Sequence, residues 1–148
     1  GANGSGKSTL LTWMGRRSVP TEDSVGSLTV SGSVLRIPQH LPNLGDPGVD
    51  ENVWTEGIGD RGRGALHPRL WNRPISELSD GNQRRVQLAL AAAAGPEVLV
   101  VDEPTNYLDL DALEMLETAL RSWTGTLIVA SHDRWLIEHW WGRRLHLR

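Results

Sequence analysis

An α/β fold, with a mainly parallel sheet flanked by helices, is predicted by three features of this 148-residue chain. The first is a glycine-rich turn, Gly1-Ala2-Asn3-Gly4-Ser5-Gly6-Lys7-Ser8-Thr9, that runs straight into a helical pattern. The second is a pair of continuous apolar runs, Val98–Val101 and Thr126–Ala130, of the kind buried on both faces of a parallel sheet. The third is the helix-patterned stretch between them, since strand–helix–strand alternation calls for crossover helices packed on that sheet.

The elements follow in order. Ser8 to Met14 reads as a short helix ended by Gly15. Val25–Val30 and Ser33–Ile37 alternate around Gly32 and predict two short strands of a hairpin. From Pro38 to Pro74 the chain is rich in Gly and Pro, with at most a short helix near Asp50–Trp54. The segment of about 40–95 therefore predicts a small, reduced helical subdomain. Ser79 is a good N-cap for a helix through Ala94, and Gly95-Pro96 stops it. Leu113, Leu116 and Leu120 lie at helical spacing within Leu110–Trp123. A helix over Asp133–Trp141 and a strand over Arg144–Leu147 complete the expectation.

Bulk properties narrow the class. The length suits one domain with a real core. A formal net charge of −3 provides no global basic field for nucleic acid. There is no cysteine, hence no disulfide framework or thiolate metal site, and the five histidines show no zinc-ligand spacing. No apolar run approaches a membrane span and no signal peptide precedes the first motif, so a soluble cytoplasmic domain is expected. The chain opens on Gly1, whereas a phosphate loop ordinarily follows a buried strand. The expectation is a partial domain over residues 1–148, cut just upstream of its first motif and lacking its N-terminal strands.

Lys7 is the only lysine, and it sits in Gly1-x4-Gly6-Lys7-Ser8, the Walker A pattern. Glycines let backbone N–H groups converge on phosphate oxygens because no Cβ blocks the approach. A helix starting near Lys7 aims its positive end at the same phosphates. Asn3, Gly4, Ser5, Gly6, Lys7, Ser8 and Thr9 are thus candidate nucleotide-binding residues, with Lys7 on the β- and γ-phosphates and Ser8 on Mg²⁺. The bland reading is a flexible Gly/Ser loop. The second signal is Asp102-Glu103 at the end of the apolar run from Val98. It puts two carboxylates at the carboxyl edge of the sheet, where α/β folds bind ligands. Asp102 suits Mg²⁺, through water, and Glu103 suits polarising an attacking water. A plain N-cap acid pair is the competing explanation.

Leu78-Ser79-Asp80-Gly81-Asn82, just ahead of the acidic strand, resembles the signature motif of the ABC ATPases. The other motifs fall into that family's order: Gln39 resembles the Q-loop glutamine, Pro104–Asp109 the D-loop and Ser131-His132-Asp133 the switch histidine. The resemblance implies that Ser79 and Gly81 donate to the γ-phosphate held by an opposing nucleotide domain. It implies that Gln39 senses Mg²⁺ and the attacking water, and that His132 contacts the γ-phosphate. Glu103-Pro104-Thr105-Asn106-Tyr107-Leu108-Asp109 with Ser131–Leu136 looks like the ABC-F group, whose members are tandem ATPases acting on ribosomes, some conferring antibiotic resistance. The short interval from Gln39 to Ser79 suits a second, C-terminal nucleotide domain. Asp80 stands where the signature has a glycine, and Asn82 replaces its glutamine.

The implied function is ATP binding and hydrolysis, active when paired with a second such domain, on a ribosome. One rival is the motor domain of a membrane transporter. A second is a module that holds ATP with little turnover, which Asp80 favours through like-charge repulsion. Arg61, Arg63, Arg69 and Arg73 could meet ribosomal RNA phosphates or form a solvated surface screened by neighbouring acids. Trp135, Trp140 and Trp141 read as core, or as a face left bare.

Overall fold

The computed structural model describes residues 6–16 and 27–147. Three parallel strands form its centre: β1 (Val34–Ile37), β2 (Val98–Asp102) and β3 (Thr126–Ala130), in the order β1-β2-β3. Ile37 stands opposite Val101, and Asp102 opposite Ala130. All three strands therefore finish at one edge. The helices are α1 (Lys7–Arg16), α2 (Glu51–Glu56), α3 (Asp80–Ala94), α4 (Leu110–Arg121) and α5 (Arg134–Glu138).

β2 is buried at every position because helices cover both of its faces. Val98 and Val100 pack with Leu11 of α1 and Ala130 of β3. Leu99 and Val101 pack with Ile37 and with Ala91 of α3. This alternation is the two-residue period of a strand read from both sides. A second core gathers Val49, Val53, Ile58, Leu66, Ile75, Leu78, Val86 and Leu90 between β1 and α3. Val100 and Ile75 are both fully buried, each contributing about 1.5–3 kcal/mol through apolar area removed from water. Short 3-10 turns (Gly59–Gly62, Pro68–Leu70 and Ile75–Glu77) give the Gly/Pro-rich segment its shape.

Capping residues set the helix ends. Ser79, Asp109 and Asp133 each accept a hydrogen bond from the N–H three residues on, starting α3, α4 and α5. Gly95 ends α3 in the left-handed conformation, at φ 57°.

Five expectations need correction. The helix expected to stop at Gly15 runs through to Arg16. Gly15 serves close packing instead, since a Cβ there would sit 3.3 Å from Arg36 Cβ on β1. The hairpin does not form: residues 27–33 hold no strand, and β1 pairs in parallel with β2. The Glu97 carboxylate accepts from the Ser33 N–H at 2.6 Å and draws the chain alongside β2. The remainder of that hairpin, residues 25–26, lies outside the described residues.

The last helix is shorter than expected and gives way to irregular chain after Glu138. Residues 144–147 form no strand, and the Arg144 guanidinium instead donates to the carbonyls of Glu138 and Trp140. Trp135 and Trp141 are not core. They are 47% and 46% exposed, and stack on His139 and Trp140 respectively. Among the described residues no helix is long and apolar enough to cross a membrane.

Candidate functional site

The carboxyl edge of the sheet opens into a cleft of about 410 Å³ lined by Gly6, Lys7, Ser8, Thr9, Gln39, Glu103 and His132. Each wall has a local reason. Gly6, at φ 84°, turns the chain into α1, so the helix N-terminus faces the cleft with Lys7, Ser8 and Thr9 in its first turn. Gln39 follows β1 after Pro38, Glu103 follows β2 and His132 follows β3 by two residues. Four segments distant in sequence converge there because parallel strands all end on one side.

Glu103 is 5% exposed and is one of two non-glycine residues at positive φ among the described residues, at 49°. Its carboxylate is oriented on both oxygens. The His132 backbone N–H donates to Oε2 at 3.2 Å, and His132 Nδ1 lies 2.8 Å from Oε1. With the proton on Nδ1 this is a hydrogen bond, and Nε2 is left as the other polar atom of the ring. The imidazole is 61% exposed, so it is reachable from the cleft.

Asp102 lies behind this surface, 1% exposed. Its Oδ2 accepts from Arg36 at 3.3 Å, while Oδ1 is buried with no hydrogen-bond partner. That orphaned oxygen tests the fit of Mg²⁺. Hard cations take oxygen donors, and Mg²⁺ is usually held by one or two carboxylates together with substrate phosphates. Among the described residues no group of three acids or histidines could hold a metal alone. Ser8 and Gln39 line the cleft and Asp102 ends β2 beside it, and each offers the kind of oxygen donor that a phosphate-bound Mg²⁺ takes. The residues fit the ion.

Ser79 and Gly81 are elsewhere. They do not line the cleft, and Ser79 and Asp80 are exposed at the start of α3. Ser79 Oγ accepts from Asn82 N at 3.4 Å. A Cβ on Gly81 would meet the Tyr107 carbonyl at 3.0 Å, so this turn packs on the segment 104–109. Asp109 caps α4 and pairs with Arg85 at 3.0 Å. The hydrogen bond from Ala112 N, aided by Arg85, holds its pKa below the ordinary carboxylate value. Asn3, Gly4 and Ser5 lie outside the described residues.

Three residues were overlooked in the sequence as site residues. Arg84, on the buried face of α3, donates to the carbonyls of Pro38, Asp102 and Glu103 at 2.8–3.0 Å. Burial lowers its pKa to about 10, opposed by the charge of Asp102, so it remains a cation at neutral pH. Gln87 accepts from Arg84 and donates to the His40 carbonyl. Arg36 holds Asp102. The available signal was the spacing Arg84, Gln87, Ala91, which puts two polar groups on the apolar stripe of a helix. Of the arginines weighed for RNA contact, Arg61 and Arg73 fold back on their own segment, to the Ile58 carbonyl and to Glu77, and Arg63 lies over the Trp71 ring.

Comparison with known proteins bears on this geometry. The chain is 33% identical, over 93% of its length, to the ribosome protection protein VmlR of Bacillus subtilis (strain 168), covering 26% of that protein. It is 33% identical to the energy-dependent translational throttle protein EttA of Haemophilus influenzae, over 93% of the chain and 27% of EttA. It is also 33% identical to the tylosin resistance ATP-binding protein TlrC of Streptomyces fradiae, over 100% of the chain and 28% of TlrC. The chain thus spans about a quarter of the length of these relatives. A dimeric ATP-binding cassette solved in a post-hydrolysis state with ADP and Pi superposes with a TM-score of 0.67 at 25% identity, over 89% of this chain and 72% of that one. An archaeal ribosome recycling factor, aABCE1, solved with the stalk protein aP1, gives 0.68 at 25% identity, over 90% and 28%. The family model described as ABC transporter matches residues 1–106, and this chain belongs to that family, with the ABC ATPase fold.

Proposed function

We propose that the cleft binds Mg-ATP and hydrolyses its γ-phosphate, and that the protein carrying it acts on the ribosome in the manner of the ABC-F group. The observation that supports hydrolysis most directly is the Glu103–His132 pair facing Lys7, Ser8 and Gln39 across one cleft. Gly6, Lys7 and Thr9 would take the phosphates, together with Asn3, Gly4 and Ser5. Glu103, held on both oxygens, orients a water for attack on the γ-phosphorus and accepts its proton as ADP leaves. His132 would contact the γ-phosphate, and Gln39 would sense the same water. Ser8, Asp102 and Gln39 would hold Mg²⁺, which when bound neutralises phosphate charge. Ser79 and Gly81, which do not line this cleft, would suit a second nucleotide held by a partner ABC domain.

The ribosomal part of the reading is supported by likeness to proteins named for ribosome protection, translational throttling and tylosin resistance. A cytoplasmic location follows from it. The transporter reading draws on the description of the family model itself. Asp80 at the signature turn supports a third reading, ATP binding with little turnover.

The test is co-sedimentation in ATP of the natural polypeptide carrying Glu103→Gln, with the equivalent residue of any second ABC domain also changed. Accumulation on ribosomes is expected. Sedimentation free of ribosomes, or recovery with membranes, contradicts the ribosomal reading.

A further inference from the structure

We infer that Arg84, assisted by Gln87, is a positioning residue that sets both Gln39 and Glu103 in the cleft from the body of α3. The inference rests on the hydrolysis reading above.

The geometry is specific. Arg84 is fully buried, yet no carboxylate oxygen lies within ion-pair distance of it among the described residues. Besides the Gln87 side-chain oxygen, its guanidinium donates to three main-chain carbonyls: Pro38 at 2.8 Å, Asp102 at 3.0 Å and Glu103 at 3.0 Å. Pro38 immediately precedes Gln39. Gln87, one turn along α3, donates to the carbonyl of His40, which immediately follows Gln39. Gln39 is therefore gripped on both flanks by one helix, with its own side chain left to the cleft. A planar fork with several fixed donors can serve three carbonyls at once, and an ammonium on a flexible stem cannot hold the same set.

Glu103 shows why such a grip is needed. A carboxylic side chain at φ 49° persists only where its surroundings over-determine it. Its N–H donates to the Ala130 carbonyl, its carboxylate is held by His132, and its carbonyl is held by Arg84. Without the last contact that carbonyl keeps only the longer bond from the Asn106 N–H, at 3.3 Å, so the peptide after Glu103 is held less firmly and the carboxylate loses its aim. The same helix begins at the signature turn Ser79–Gly81, so any displacement of α3 reaches Gln39 and Glu103 through this grip.

The experiment uses the natural full-length polypeptide that contains this chain. Steady-state Mg-ATP hydrolysis is measured for wild type, Arg84→Lys, Glu103→Gln and the double variant, with the rate of the Lys7→Ala protein subtracted as background. Arg84→Lys is expected to lower kcat by about 10- to 100-fold, as misplacement of a reacting group by about 1 Å does, with KM within about 3-fold of wild type. In the Glu103→Gln background the same change should cost only about 2- to 5-fold, because Glu103 is already gone and Gln39 is the one positioned group that remains. An unchanged kcat, an equal loss in both backgrounds, or a raised KM at constant kcat each overturns the inference. Should Arg84→Lys not fold, Gln87→Leu leaves Arg84 in place, removes one flank of the grip, and is expected to lower kcat about 2- to 5-fold. An unchanged kcat there overturns the inference equally. A wild-type protein without ATP turnover instead overturns the hydrolysis reading on which it rests.

Discussion

α1 and α3 begin alike and meet different surroundings. Gly6 leads into α1 and Ser79 into α3, and each helix directs backbone N–H groups out of its first turn. The start of α1 faces Gln39, Glu103 and His132 across a cleft. The start of α3 faces the Tyr107 carbonyl and solvent, with Asp80 in its first turn. A helix N-terminus offers partial positive charge and donors in either case. What separates the two is convergence: parallel strands deliver a carboxylate, an imidazole and an amide opposite α1, and nothing comparable is delivered opposite α3 among the described residues. The first is a site assembled within this chain. In the reading proposed above, the second gains its substrate from a partner domain.

This contrast can be broken by single substitutions. The largest effect is expected from Lys7→Ala, which removes a charged donor to phosphate. ATP affinity at this site should fall by about 10- to 150-fold, matching a charge-assisted contact of about 1.5–3 kcal/mol. Calorimetry checks it, and unchanged affinity would remove α1 from its special position.

Ser79→Ala should leave ATP affinity at the cleft of this chain untouched. It removes the cap of α3 and should cost about 1 kcal/mol of stability, a fall in Tm of about 2–4 °C by calorimetry. If the nucleotide at this cleft binds more weakly in Ser79→Ala, the two helix starts are not independent.

The smallest effect concerns Asp109. Its folded-state pKa is depressed by the cap bond to Ala112 and by Arg85, so its stabilising contribution is complete above the ordinary carboxylate pKa. That contribution is lost as pH falls through the depressed value. Asp109→Asn should therefore be less stable than wild type near pH 7, with the difference shrinking in acid. A difference that grows in acid contradicts the sign. Denaturant titration at the two pH values decides it.

Legibility in the sequence followed the range of the interactions. β2, the position of β3, and α3 were readable because their signals are local: unbroken apolar runs, and Ser79 and Gly95 at the two ends of one helix. The burial expected of β3 was not met, since among the described residues it pairs on one side only, with Thr126 exposed and Ala130 alone buried. The cleft residues were readable because strand ends in a parallel sheet share an edge. The false hairpin at residues 25–37 came from alternation, which reports a half-buried strand and says nothing about its partner. That partner was fixed by Glu97, distant in sequence from Ser33. The expected strand over residues 144–147 failed in a similar way. Among the described residues these positions pair with no strand, and Arg144 bonds back to the end of α5. Arg84 and Arg36 were hidden for a further reason. Arginine is ordinarily a surface residue, and its burial is evident only once the carbonyls and the carboxylate it serves are brought together.

The central claim is that Glu103 and His132 act on a nucleotide held by α1 in the same cleft. Glu103→Gln keeps the shape of the side chain and most of its hydrogen bonding while removing its charge. The direct measurement is single-turnover hydrolysis with bound nucleotide quantified in the same sample. ATP should remain bound at wild-type stoichiometry while its hydrolysis slows by about 10²- to 10⁴-fold, the range for loss of a general base. Hydrolysis at the wild-type rate with ATP bound would show that Glu103 is not the base and would contradict the account.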